Sequence, residues 1–173
     1  SVHVPDHSYK EFSELDFIIV SHKGVLCIEV KGGRVSYQNG KFVYKDRYNK
    51  IVEKKEGPIE QVSSNKKMLQ REIKKILSLK SIPLYAHCIM LPDCEWSPDI
   101  DPYSLKKELI CDIHTINDQN KFETYLNNLY KYFNQKPGYK KSSELNEDDI
   151  TKIKNFLRPN FDLIKPLKFK VQE

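Results

Sequence analysis

The stretch LDFIIVSHKGVLCIEVKGG, residues 15–33, gives the first indication of the fold of this chain. It contains two apolar runs rich in β-branched residues, LDFIIV (15–20) and GVLCIEV (24–30), and such runs are typical of buried β-strands. The SHKG segment between them has the composition of a hairpin loop. If SHKG is the whole loop, Val20 pairs with Val25. The stretch therefore predicts an antiparallel hairpin.

This register places Asp16 directly opposite Glu29. Opposed residues in antiparallel strands have Cβ atoms ~4.5–5.5 Å apart, and like charges at that distance repel each other. Each carboxylate also interrupts an apolar strand, where burial without a partner is costly. A shared divalent cation would remove both costs, and Mg²⁺ prefers carboxylate, water and phosphate oxygens. The hairpin therefore predicts a site for Mg²⁺ or Mn²⁺.

Lys31 lies two residues after Glu29, so both side chains point to the same face of the strand. A lysine at this place could position a metal-bound water or stabilise charge on a phosphoryl group. The carbonyl of Val30 could supply a further oxygen ligand. The alternative interpretation is an aspartate and a Glu–Lys pair on a half-exposed edge, although the surrounding apolar residues argue against it.

The next segment continues the antiparallel pattern. RVSY follows Gly32-Gly33, Asn39-Gly40 is a strong signal for a tight turn, and KFVYK (41–45) predicts the returning strand. Residues 15–45 therefore predict an antiparallel meander, and the polar connection that follows could contain one more short strand. Tyr44 is expected to be a packing or surface residue, since tyrosines at strand spacing usually pack.

Helical spacing dominates the middle of the chain. Pro58 suits a first helical turn, and apolar residues recur at helical spacing over 59–79, which predicts a long helix. The remaining expected elements are a buried strand at 84–91, a short strand at 108–113, helices at 122–133 and 147–157, and an extended tail at 158–173. This order predicts an α/β (α+β) fold in which helices flank a mixed β-sheet.

The composition indicates which class of protein this chain belongs to. The chain has 173 residues, 39% of them hydrophobic and 31% charged, which is typical of a globular domain. No apolar run approaches the ~20 residues that span a bilayer, and no secretory signal begins the sequence. The cysteines form no CxxC pair, so free thiols in a reducing cytoplasm are expected. The net charge of +5 mildly favours polyanionic partners.

Basic residues are concentrated around the long helix. A solvated helix face is the simplest interpretation of such a run. Phosphate contacts with nucleic acid are the alternative, and they gain support if a nuclease site lies nearby. The candidates are two residues in the loop before the helix and three on helix faces expected to point to solvent: Lys54, Lys55, Lys66, Lys67 and Arg71.

The combination of these motifs resembles the NERD (nuclease-related) domain, a family of the PD-(D/E)xK nuclease superfamily. Asp16 matches its first acidic position, Glu29-Val30-Lys31 matches its ExK element, and Gln61 in GPIEQ matches the glutamine that opens the following helix. The resemblance implies a nuclease domain over residues 1–157. Asp16, Glu29 and the Val30 carbonyl would bind the metal, and Gln61 would contact water or phosphate.

The resemblance also implies a function and partners. It predicts a Mg²⁺- or Mn²⁺-dependent DNA nuclease, with RNA not excluded, acting in defence or DNA processing. Similar proteins often join this module to a helicase, so residues 158–173 could be a linker to one. Related nucleases often use a further acidic residue from an N-terminal helix, and the sequence leaves open whether such a residue lies upstream of Ser1. The alternative is a weakly active or inactive module that binds nucleic acid.

Overall fold

A computed structural model describes residues 2–4, 13–39, 41–46, 48–96, 106–136 and 142–158 of the chain. The strands in these ranges are β1 (Val2–Val4), β2 (Ser13–Leu15), β3 (Phe17–Ser21), β4 (Gly24–Val30), β5 (Arg34–Gln38), β6 (Lys41–Lys45), β7 (Ile51–Lys54), β8 (Tyr85–Leu91) and β9 (Ile110–Asp112). The helices are α1 (Pro58–Ile76), α2 (Ile113–Ile116), α3 (Gln119–Gln135) and α4 (Glu147–Leu157). A short 3₁₀ turn, Lys107–Leu109, precedes β9.

A four-stranded mixed sheet forms the centre of the fold, with strand order β3-β4-β8-β9. β3 and β4 are antiparallel, and Val20 lies opposite Val25, so the predicted hairpin register is confirmed. β8 runs parallel to β4 on its other edge, and β9 runs parallel to β8. Helices pack on this sheet, and the predicted α/β (α+β) class with a mixed sheet is therefore confirmed.

The meander expected over 15–45 is divided between two sheets. β3 and β4 belong to the mixed sheet, whereas β5, β6 and β7 form a separate antiparallel sheet. β4 has partners on both edges, β3 and β8, and all of its residues from Gly24 to Glu29 are buried. The turn after β5 has Asn39 at φ 50°, the left-handed conformation that an Asn-Gly turn favours.

Helix α1 covers the mixed sheet, with contacts to β4 and β8. It begins at Pro58, as predicted, but ends at Ile76 because Leu77 takes an extended conformation with φ −108° and ψ 120°. After the buried Pro58, its buried side chains follow helical spacing and are Ile59, Val62, Lys66, Leu69 and Ile73. The expectation that Lys66 points to solvent is wrong, since the residue lies on the same stripe as the apolar core residues.

The later helices begin where the sequence provides side-chain caps. The carboxylate of Asp118 accepts a hydrogen bond from the backbone N–H of Lys121 and so caps α3. Asn146 caps α4 in the same way by accepting from Asp149 N. The predicted tail beyond Arg158 lies outside the described residues. Within the described part of the chain, no helix is both long and apolar enough to cross a membrane.

Candidate metal centre

Asp16 lies in a bend between β2 and β3, so the single strand expected over residues 15–20 is broken at this residue. The β3–β4 ladder ends with Phe17 opposite Ile28, which leaves Asp16 next to the C-terminal end of β4. Its Oδ2 accepts a hydrogen bond from the backbone N–H of Val30 at 2.7 Å. The bend therefore fixes one carboxylate beside the ExK element.

Glu29, Lys31 and Gln61 converge on the same place. The ammonium group of Lys31 donates one hydrogen bond to the Glu29 carboxylate and another to Gln61 Oε1 at 3.2 Å. The backbone of Lys31 is held as well, because its N–H donates to Met90 O of β8 at 2.9 Å. The strand end and the first turn of α1 thus meet through one lysine.

The electrostatic state of Glu29 depends on what surrounds it. The residue is only 5% exposed, and this burial raises the pKa of its carboxyl above the ordinary value. The hydrogen bond and the charge of Lys31 lower this pKa in part, Asp16 raises it, and Lys54 lowers it. A buried carboxylate beside a second one is an environment that a divalent cation would stabilise.

The donor set fits a hard divalent cation. Asp16 and Glu29 offer carboxylate oxygens, and Mg²⁺ usually takes one or two of these together with water and phosphate oxygens. The N–H of Val30 points toward Asp16, and the carbonyl of a strand residue points to the same edge as its N–H. Val30 O therefore faces the same side. Among the described residues, no group of three His, Cys, Asp or Glu side chains could hold a metal.

The predicted basic residues occupy different surroundings. Lys54, at the end of β7, is exposed and close enough to influence Glu29. Lys55, Lys67 and Arg71 are also exposed, and the two on α1 lie ~9 and ~15 Å along the helix from Gln61 at 1.5 Å per residue. None of the three has a described contact with the residues of the metal centre.

Lys66 is set apart from the other four because it is only 2% exposed. Its ammonium group lies 5.1 Å from the centre of the Phe133 ring, and burial lowers the pKa of this lysine from its usual 10.5 to about 8. A side chain held in this way is part of the core. It does not offer the exposed charge that a phosphate contact needs, so we remove it from the predicted nucleic-acid-binding residues.

The sequence reasoning missed two residues after β8 that hold the ExK strand end. Asp93 Oδ2 accepts from Gly33 N at 2.7 Å, and the Cys94 thiol donates to Gly33 O at 3.0 Å. Gly33 has φ 77°, and a Cβ there would lie 2.2 Å from Lys45 O, so this position requires glycine. The parallel pairing of β4 with β8 brings these residues together, and no local pattern signals it.

Comparison with known proteins agrees with the motif set. The sequence matches the nuclease-related domain family over residues 1–91, more than half of the chain. The chain belongs to the NERD family. The matched range contains every residue of the candidate metal centre, and the predicted resemblance is confirmed. Searches of curated proteins and of solved structures gave no significant match. This NERD domain is accordingly a nuclease-related module.

Proposed function

We propose that this NERD domain is a Mg²⁺- or Mn²⁺-dependent nuclease that hydrolyses phosphodiester bonds of DNA. One observation supports this most: Lys31 donates to both Glu29 and Gln61, next to the Asp16 carboxylate. Two acidic groups and an ammonium group at one strand end, with the Gln61 amide of α1 beside them, are group types that metal-dependent hydrolysis of a phosphodiester uses.

Each side chain has a distinct role in this proposal. Asp16, Glu29 and the Val30 carbonyl would hold the cation, which when bound supplies Lewis acidity and lowers the pKa of water. Lys31 donates a hydrogen bond to the attacking water or to the charge that develops on the phosphoryl group. Gln61 orients that ammonium group now and can turn its amide to water or phosphate when substrate binds.

The exposed basic residues extend the proposal to DNA binding. Lys54 lies beside the centre, while Lys55, Lys67 and Arg71 would contact phosphates farther along the strand. We expect little sequence specificity, because phosphate contacts carry no base information. We further propose that the module works with a helicase in defence or DNA processing, and the family resemblance is the support for this part.

A second candidate is a nucleic-acid-binding module that cuts slowly or not at all. It is favoured by the small number of ligands, since the described residues supply only the Asp16 and Glu29 carboxylates to the centre. The two candidates differ in one observable, metal-dependent cleavage. They share the prediction that DNA binding weakens as salt concentration rises.

The test uses supercoiled plasmid, linear duplex, single-stranded DNA and single-stranded RNA, each with Mg²⁺, Mn²⁺ or EDTA. The variants are Asp16→Asn and Lys31→Met, and we expect each to reduce cleavage by about 10²–10³-fold. Lys23→Met is the matched control, because Lys23 lies in the same hairpin at its opposite end and is exposed. It should cut at the wild-type rate.

Three outcomes would each change the proposal: one concerns the assigned residues, one the activity and one the substrate. Cleavage by the wild type that survives both Asp16→Asn and Lys31→Met contradicts the assigned centre. A wild type that binds DNA in a salt-dependent way but does not cut with either metal supports the binding module. Faster cutting of RNA than of DNA would change the proposed substrate without changing the centre.

A further inference from the structure

Tyr44 reaches the metal centre from the other sheet. It lies in β6, the middle strand of the β5-β6-β7 meander, opposite Val35 on one side and Val52 on the other. Residues two apart on a strand share a face, so Tyr44 and Phe42 lie on the same face, and so does Lys54, which pairs with Phe42. This face carries the Lys54 charge that influences Glu29, so it is the face turned toward the centre.

The ring of Tyr44 contacts the catalytic lysine. Lys31 Nζ lies 5.5 Å from the ring centroid, which is within the range of a cation–π interaction. Burial raises the pKa of the Tyr44 phenol to about 12, and the carboxylates of Glu29, Glu60 and Glu56 contribute. The phenol therefore keeps its proton at any physiological pH, and it can act as a hydrogen-bond donor.

The hydroxyl group of Tyr44 is buried, yet no residue that the structure describes forms a hydrogen bond with it. A buried hydroxyl without a partner destabilises the fold, because its hydrogen bonds to water are lost and not replaced. Phenylalanine would provide the same ring contact with Lys31 without this cost. The hydroxyl therefore contributes nothing that packing requires, and a ligand whose binding uncovers the hydroxyl and supplies an acceptor would account for it.

We propose that the Tyr44 hydroxyl donates a hydrogen bond to a phosphoryl oxygen of the nucleic acid bound at the Asp16–Glu29 centre. This inference rests on the proposed nuclease function. It assigns the meander a direct part in substrate binding, with Tyr44 as a donor beside Lys31. A phosphoryl oxygen is the acceptor that such a site brings, and hydrogen bonds to charged acceptors are stronger than those between neutral groups.

The test compares Tyr44→Phe with the wild type and with Tyr37→Phe. Tyr37 lies in β5 of the same meander and is 48% exposed, so it controls for removal of a tyrosine hydroxyl from this sheet. Three quantities are measured for each protein: Kd for a single-stranded DNA oligonucleotide in Ca²⁺, kcat/KM in Mn²⁺, and the melting temperature without metal.

For Tyr44→Phe we expect a Kd that is about tenfold weaker, a lower kcat/KM, and a melting temperature equal to or above that of the wild type. Tyr37→Phe should match the wild type in all three. The proposal is overturned if Tyr44→Phe binds DNA as the wild type does. It is also overturned if Tyr44→Phe melts several degrees lower, because the hydroxyl would then have a structural partner.

The result also separates this inference from the proposed function. If the wild type does not cut DNA but Tyr44→Phe still weakens binding in Ca²⁺, the nuclease proposal fails and the role of Tyr44 in phosphate binding stands. If the wild type cuts and Tyr44→Phe binds and cuts equally well, the function stands and the inference fails. Absence of both binding and cutting by the wild type overturns both.

Discussion

The two main sheets of this NERD domain differ in how they are held in place. The central strands of the mixed sheet, β4 and β8, have no exposed residues, whereas its edge strand β3 exposes Phe17 and Ile19. The meander is more open: all four residues of its edge strand β7 lie at the surface, and Phe42 is the one buried residue in its three strands. The two carboxylates and Lys31 lie in or next to strands of the mixed sheet, whereas Tyr44 and Lys54 lie in the meander.

We interpret this difference as a division of roles within the proposed site. Groups that hold a cation must keep their geometry, so they benefit from a rigid strand end fixed by β8 and by α1. Groups that touch a long, flexible substrate gain from an exposed surface that the substrate can reach. This contrast between the mixed sheet and the meander can be tested by matched substitutions, one in each sheet, that should differ in their effect on stability or on DNA binding.

Truncation of an isoleucine should change the free energy of unfolding far more in the mixed sheet than in the meander. Ile89 in β8 is 1% exposed, and Ile89→Ala should lower the free energy of unfolding by about 2–5 kcal/mol. Ile51 in β7 is 59% exposed, and Ile51→Ala should change it by less than about 0.5 kcal/mol. Urea denaturation measures both, and equal losses would show that the two sheets are equally packed.

A smaller effect concerns the charge buried beneath the mixed sheet. Lys66→Met keeps the length of the side chain and removes the charge, so we expect stability to rise on the order of 1 kcal/mol at pH 7. Lys67→Met is the matched control, because the neighbouring lysine is exposed. Lys67→Met should leave stability unchanged and weaken DNA binding. Lys66→Met should raise stability and leave DNA binding unchanged.

The pH dependence of this gain follows from the pKa of Lys66. The folded state holds this pKa at about 8, below the usual 10.5, so folding is penalised while the lysine is charged. The penalty is fully present below pH 8 and declines as the pH rises toward 10.5. The advantage of Lys66→Met should shrink over the same window in denaturation curves. A constant advantage would mean that charge is not its source.

The smallest effect concerns the exposed meander. Lys54→Met should reduce the slope of log Kd against log salt by about 0.9 if this lysine contacts one phosphate of duplex DNA. Lys45→Met is the control, since Lys45 lies on the opposite face of the same meander. Fluorescence titrations across a salt series measure the slope, and equal slopes for both variants would exclude Lys54 from the interface.

Local patterns in the sequence were sufficient to predict which residues lie together at the candidate centre. A strand has a period of two residues, so the SHKG loop alone fixed the register that brings Asp16 near Glu29. The same period placed Lys31 beside Glu29. Pro58 marked the start of α1 and therefore the position of Gln61. Each of these inferences depends on residues close together in the chain or on a family motif.

The features that were missed depend on contacts between distant segments. The pairing of β4 with β8 divides the expected meander, and it also brings Asp93 to Gly33. Tyr44 enters the proposed site only because its ring lies beside Lys31, which is distant from it in the fold's sheet order. Lys66 had a local signal, since it falls on the buried spacing of α1, but lysine is almost never fully buried and was therefore expected to face solvent.

The most direct test of the central claim is a calorimetric titration of the protein with Mn²⁺. A cation shared by Asp16 and Glu29 predicts saturable binding to the wild type, retained in Lys23→Met and lost in both Asp16→Asn and Glu29→Gln. Circular dichroism should show all four proteins folded. Binding that is unchanged in Asp16→Asn and Glu29→Gln, or absent from the wild type, would contradict the claim that these two carboxylates form a metal centre.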